Sequence, residues 1–165
     1  MTLLLDSISN PRNLGNMLRL ACAVGADAAL CGTMLSLKHD KVRSQIFTWL
    51  RPGDALTFAD LQSRVRHFDS FAQAVEHFHA QGRRIIGTSP DADKEHYDVE
   101  YSPKDVLAFG HEEGGLGRIK LGMCDVVVKV PMPGDVNSLN VSDAAAVILY
   151  EALRQGRGEE MRDKG

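Results

Sequence analysis

The chain has 165 residues, 44% hydrophobic and 25% charged, a length and balance that fit one globular domain with a real core. Its net charge of −3 and pI of about 6.0 give no overall attraction for nucleic acid, so an RNA or DNA would have to meet a local basic patch. The opening MTLLLDSI carries no basic segment, and no stretch approaches the ~20 apolar residues of a membrane helix. The three cysteines, Cys22, Cys31 and Cys124, stand at unrelated spacings, which reads as reduced thiols of a cytoplasmic protein.

In chain order, Leu3–Leu5 predicts a short buried strand. Asn10-Pro11 is an N-cap followed by a first-turn proline. Leu14, Leu18, Ala21 and Cys22 then recur at helical spacing, so residues 11–24 predict an amphipathic helix closed by Gly25. Ala28–Cys31 is a second strand, completing a βαβ unit and arguing for a parallel sheet. Residues 36–54 form the most basic stretch, with Lys38, Lys41, Arg43 and Arg51, and with Phe47 and Trp49 interleaved. Within it, Gln45–Leu50 predicts a helix and Arg51-Pro52-Gly53-Asp54 a turn; Leu56–Phe58 reads as a strand. A helix over 70–81 closed by Gly82, a strand at Arg84–Gly87 and a polar loop over 88–102 follow. Val106–Phe109 and Asp125–Val130 are further strands. Val141, Ala144, Ala145, Ile148, Leu149 and Ala152 mark a strongly apolar final helix, with a polar tail over 156–165.

Two junctions stand out chemically. The first is the glycine-rich run Gly110-His111-Glu112-Glu113-Gly114-Gly115-Leu116-Gly117, directly after a strand. It has neither the Gly-Lys-Ser/Thr ending of a P-loop nor G-x-G-x-x-G spacing, which disfavours a Rossmann-type nucleotide enzyme. The second is Val130 to Glu151, where a strand end passes through Pro131, Pro133 and Gly134 into the last helix, with Ser138, Asn140 and Ser142 at the helix start. Free N–H groups in a first helical turn make such a junction a natural anion site. His77 and His79 are two apart on a helix and point to different sides, so no metal is expected. A Ser-His-Asp triad through Ser138 or Ser142 lacks the elbow that raises a nucleophile.

Three segments taken together carry a resemblance. They are NPRNLGNMLR over residues 10–19, FGHEEGGL over 109–116, and VPMPG over 130–134 followed by SLNVS over 138–142. In this order and spacing they resemble the three motifs of the SpoU, or TrmH-type, branch of the SPOUT RNA methyltransferases, over residues 3 to about 154. The middle segment departs from the family pattern: Glu113 stands where glycine is usual, and His111 where a small or amide residue is common.

The resemblance implies an α/β fold, a mostly parallel sheet flanked by helices, with a C-terminal deep trefoil knot. Residues 1–155 would be a single SPOUT methyltransferase domain. The cofactor would be S-adenosylmethionine, held by the loops Gly87–Thr88, Gly110–Leu116 and Val130–Leu139, with Gly87, Thr88, Gly110, Glu112, Gly115, Val130, Met132, Ser138 and Leu139 as its contacts. The reaction would be methyl transfer to a ribose 2′-hydroxyl of RNA. That hydroxyl is a poor nucleophile until its proton is removed or polarised. Arg19 matches the family arginine. A guanidinium is almost never neutral, so Arg19 is expected to grip an RNA phosphate and stabilise alkoxide charge, the role of base being the alternative. Asn13 would order the same site, Ser138 and Asn140 would position phosphate or ribose, and Glu112 would brace the loops or the arginine.

The family dimerises and builds each site from two chains, which makes this chain a candidate homodimer through its first and last helices. RNA contacts would fall to Arg12, Lys38, Lys41, Arg43 and Arg51. Because almost nothing extends beyond the catalytic core, tRNA is expected over rRNA. The competing reading is a knotted homologue that binds RNA or S-adenosylmethionine without methylating.

Overall fold

Leu3, Leu4 and Leu5 cannot all face one side of a strand, because successive side chains alternate. All three are fully buried, which requires a strand covered on both faces, the signature of a parallel sheet sandwiched by helices. The computed structural model shows this arrangement and describes residues 1–33, 35–48, 50, 54 and 56–162, with side chains to 156. Its elements are β1 (Thr2–Asp6), α1 (Pro11–Val24), β2 (Asp27–Cys31), α2 (Asp40–Phe47), α3 (Phe58–Arg64), β3 (Val65–Phe68), α4 (Phe71–Ala80), β4 (Ile85–Thr88), β5 (Lys94–Glu95), β6 (Val106–Phe109), α5 (Gly117–Leu121), β7 (Val126–Lys129) and α6 (Val141–Arg162). The strands form a seven-stranded sheet in the order β3-β2-β1-β6-β4-β7-β5, and every pairing between them is parallel.

The two faces carry separate cores. Leu3 and Leu5 pack with Leu14 and Leu18 of α1, Leu107 and Phe109 of β6, and Ile148 and Leu149 of α6. Leu4 turns the other way, to Phe71, Ala74 and Phe78 of α4 with Ile85, Val106 and Ala108. The chain leaves β1 toward β2 on one side and returns to β6 on the other, so the strand order switches direction between β1 and β6. In open α/β sheets the crevice beyond the strand carboxyl ends at such a switch point is where ligands bind.

Local chemistry accounts for the agreements and the departures from expectation. Helix α1 starts as predicted: the Asn10 side chain accepts from the Arg12 N–H at 2.9 Å, and Gly25 ends the helix at φ 73°. The helix expected at 45–50 instead begins at Asp40, where the His39 ring accepts from the Lys41 N–H. Leu56–Phe58 is not a strand. Thr57 and Asp60 form a reciprocal capping box that starts α3, a Thr-x-x-Asp pattern present in the sequence. Strand β3 follows it unforeseen, because Arg66 and His67 break its apolar run. The polar stretch 88–102 holds β5 and a 3-10 turn over His96–Asp98 rather than loop alone. Helix α6 runs to Arg162, past the expected start of the tail at 156. The predicted turn at 51–54, Trp49 and the RNA candidate Arg51 lie outside the described residues, except Asp54.

Candidate active site

Helix α1 begins just beyond the carboxyl end of β1 and projects Asn13, only 6% exposed, toward the neighbouring strand β6. Gly15, two residues on, is where α2 crosses. A Cβ there would lie 2.7 Å from Gln45 Cβ and 2.8 Å from the Val42 carbonyl oxygen. The motif glycine therefore serves helix packing, a role that sequence reasoning missed.

Beyond β6 the chain doubles back tightly. His111 and Gly115 exchange backbone hydrogen bonds at 3.1 and 2.8 Å, and Gly115 adopts φ 58°. Glu112, at the head of this turn, reaches back about 100 residues in sequence to the β1–α1 junction. Its carboxylate accepts from the Ser9 N–H at 3.2 Å, the Ser9 hydroxyl at 3.0 Å, the Asn10 N–H at 2.9 Å and the Asn13 amide at 3.1 Å. Asn13 Oδ1 in turn accepts from the Asn140 amide at 3.2 Å. Asn140 Oδ1 accepts from the Ser142 N–H and hydroxyl, both at 2.8 Å, capping α6. One hydrogen-bonded chain thus joins all three segments singled out in the sequence. Ser9, Asn10 and Ser142 belong to it and were not among the predicted site residues. The adjacency of Ser9 and Asn10 to Glu112 exists only in the folded chain, whereas Ser142 is a local cap partner two residues from Asn140.

Burial pushes the Glu112 carboxyl up, but its donors, led by the Asn10 N–H, outweigh that and hold it at about 2. The folded value lies below the ordinary 4.5, so the stabilisation is complete above pH 4.5 and is lost as pH falls toward 2; linkage makes it roughly 3 kcal/mol. Thermal melts of wild type and Glu112→Gln across that range test this. The wild-type advantage should shrink with acid, and a pH-independent difference would remove the carboxylate from the account.

The loop is tied at its far end too. Lys120 of α5 forms an ion pair with Asp6, which is 2% exposed at the end of β1. Residues 6–10 therefore anchor the 110–117 loop on both sides.

Behind this join, the carboxyl ends of β4, β6 and β7 open into a cavity of about 1460 Å3. Thr88, Gly110, Glu112, Gly115, Val130, Met132, Ser138 and Leu139 all line it. Gly87 does not. A Cβ there would lie 2.7 Å from Cys124 Sγ, so Gly87 lets Cys124 pack beneath the wall. Val130, Met132, Leu139 and Ile148 supply an apolar wall, and the Ser138 hydroxyl and the turn at 111–115 supply polar groups. Such a mixture suits a nucleoside-type ligand.

Arg19 is placed elsewhere within the chain. It is exposed on α1 and lines a second cavity of about 880 Å3 with Cys22, Ile46, Leu56 and Arg64. Of the RNA candidates, Arg12, Lys38 and Lys41 are exposed. Arg43 stacks its guanidinium 5.2 Å from the centroid of the Phe58 ring. Among the described residues no three His, Cys, Asp or Glu side chains group as metal ligands, and no helix is long and apolar enough to cross a membrane.

A parallel α/β sheet with a cavity at the strand carboxyl ends, and beside it a three-segment polar join, is the architecture these residues define. The chain belongs to the SpoU rRNA Methylase family, whose model matches residues 1–150. It is 35% identical over 155 residues to the 23S rRNA (guanosine-2'-O-)-methyltransferase RlmB of Shewanella oneidensis, covering 94% of this chain and 59% of that protein. The chain thus spans about three-fifths of the length of the curated relatives it matches. Among solved structures, one from a study of the 2-OH methylation of C/U34 on tRNA superposes with TM-score 0.81 at 31% identity, covering 95% of this chain and 96% of that one. The SpoU methyltransferase AviRb from Streptomyces viridochromogenes in complex with the cofactor AdoMet gives TM-score 0.78 at 28% identity, covering 94% and 57%.

Proposed function

We propose that this chain transfers a methyl group from S-adenosylmethionine to a ribose 2′-hydroxyl of RNA. The observation that carries the reading is the Glu112–Asn13–Asn140 join, whose Glu112 lines the cavity at the carboxyl ends of β4, β6 and β7. The cavity chemistry suits the cofactor. The apolar side chains of Val130, Met132, Leu139 and Ile148 would cover adenine, while Ser138 and the backbone of residues 110–116 would meet its polar edges. When bound, the cofactor supplies an electrophilic methyl on a sulfonium. The protein's part is to hold the 2′-oxygen in line with it and to stabilise negative charge on that oxygen. Asn13 and Asn140 are locked by their mutual hydrogen bond and by Glu112 and Ser142, so the RNA-facing wall is rigid before substrate arrives.

Arg19 lies apart from this cluster in its own chain, which favours a homodimer in which the second copy delivers it. Val147 and Tyr150 stand 38% and 52% exposed, three residues apart on α6, and give that second copy an apolar face to cover. In this reading residues 1–155 form the catalytic domain, working in the cytoplasm.

The favoured substrate is ribosomal RNA, because the curated relatives are named for a 23S rRNA guanosine. This replaces the expectation of tRNA drawn from chain length. A tRNA substrate is the second reading, supported by the tRNA-methylating structural relative. Methyl incorporation from labelled S-adenosylmethionine into 23S rRNA transcripts and bulk tRNA decides between them. Binding of the cofactor with no incorporation into either would favour the non-methylating homologue.

A further inference from the structure

The 110–117 turn contains an imidazole on the cavity wall whose hydrogen bonds assign it a single form. His111 Nδ1 lies 3.1 Å from the Glu113 backbone nitrogen, which can only donate, so Nδ1 accepts. On the other side, His111 Nε2 lies 3.3 Å from the Ser9 hydroxyl oxygen. That hydroxyl donates to the Glu112 carboxylate at 3.0 Å, which leaves its lone pair facing the ring. Nε2 therefore carries the proton, and the ring is neutral. The same geometry removes Ser9 and His111 as a nucleophile and base, because the ring nitrogen facing Ser9 is already protonated.

The bond from the Glu113 N–H to His111 spans two residues. It is the geometry by which an Asn or Asp side chain closes a turn on its own backbone. It reinforces the paired backbone bonds between His111 and Gly115. The ring thus does two things at once: it closes the turn that lines the cavity, and it orients the Ser9 hydroxyl on Glu112, the residue joining all three segments.

We propose that His111 is a positioning residue for the methyl transfer, holding the 110–117 turn in its cofactor-ready shape by accepting the Glu113 N–H and linking that turn to Ser9 and Glu112. The proposal rests on the methyltransferase reading above. It requires an acceptor at the Nδ1 position more than it requires an imidazole. Asparagine, whose Oδ1 closes the same kind of turn, should therefore replace His111, and alanine should not.

The test uses the full chain as wild type, His111→Asn and His111→Ala, each first shown to melt cooperatively. Without cofactor, hydrogen exchange at the Glu113 amide should be slow in wild type and His111→Asn, and about tenfold faster in His111→Ala, the scale of one lost hydrogen bond. By calorimetry, His111→Ala should bind S-adenosylmethionine about tenfold more weakly, with His111→Asn within about threefold of wild type. In turnover the alanine defect should appear in KM for the cofactor rather than in kcat. Equal exchange and affinity in wild type and His111→Ala would overturn the proposal, as would an asparagine variant as impaired as alanine. Wild-type protein that binds no S-adenosylmethionine would instead overturn the underlying methyltransferase reading, while the exchange measurement would still judge the turn.

Discussion

Gly110→Ala should weaken cofactor binding about a hundredfold while leaving the sheet folded. A Cβ at this position would stand 2.1 Å from the Gly115 carbonyl carbon, 2.3 Å from its oxygen and 2.3 Å from the Leu116 nitrogen. All three are backbone atoms, so no side chain can rotate away to make room. Relief requires separating the strand end from the returning turn. That breaks the His111–Gly115 pair and withdraws Leu116, only 4% exposed, from its core. Overpacking usually costs about 1–3 kcal/mol, and here the strain falls on the turn that shapes the cavity. The expected result is a loss of S-adenosylmethionine affinity of about a hundredfold by calorimetry, with far-ultraviolet circular dichroism unchanged. Gly114→Ala is the internal control. Nothing lies within 4 Å of the position its methyl group would take, and its φ is ordinary, so it should bind as wild type does. Normal binding by Gly110→Ala would show that the turn is not part of the cofactor site.

Arg19→Ala should remove most turnover, on the order of a thousandfold in kcat, with cofactor affinity within a few-fold of wild type. Arg19 lines a different cavity from Glu112 in its own chain, so in the homodimer proposed above the loss should complement between subunits. Co-expressing Arg19→Ala with Gly110→Ala chains gives heterodimers in which one site pairs an intact cofactor turn with an intact arginine from the other chain. Random pairing makes half the dimers mixed, each with one working site of two, so about a quarter of wild-type activity should return. A silent mixture would mean that Arg19 acts within its own subunit, and full turnover by Arg19→Ala alone would mean that it does not act at all.

The mutant pair also shows how far sequence could lead. The caps of α1 at Asn10 and Gly25, the buried strand Leu3–Leu5 and the strand Val106–Phe109 follow local rules, and they are legible because their causes lie within a few residues. The capping box at Thr57 and Asp60 is equally local, yet the apolar residues beside it read as a strand. Eight of the nine expected cofactor contacts line the cavity, because motif spacing places them at strand ends. Gly87 is the exception because its constraint comes from Cys124, distant in sequence.

By itself, then, the sequence determined the parallel α/β sheet, through fully apolar strands between amphipathic helices, and it marked the three segments that carry chemistry. Only the tertiary structure decided how those segments work. It gave Glu112, expected to brace the loops or the arginine, its partners: four donors from residues 9–13, about a hundred positions earlier. It assigned Gly15 to the crossing of α2, set Arg19 apart from Asn13 on one helix, and gave His111 its tautomer. The Glu112 brace and the Gly15 crossing rest on contacts between distant parts of the chain, and periodicity and spacing report only on neighbours.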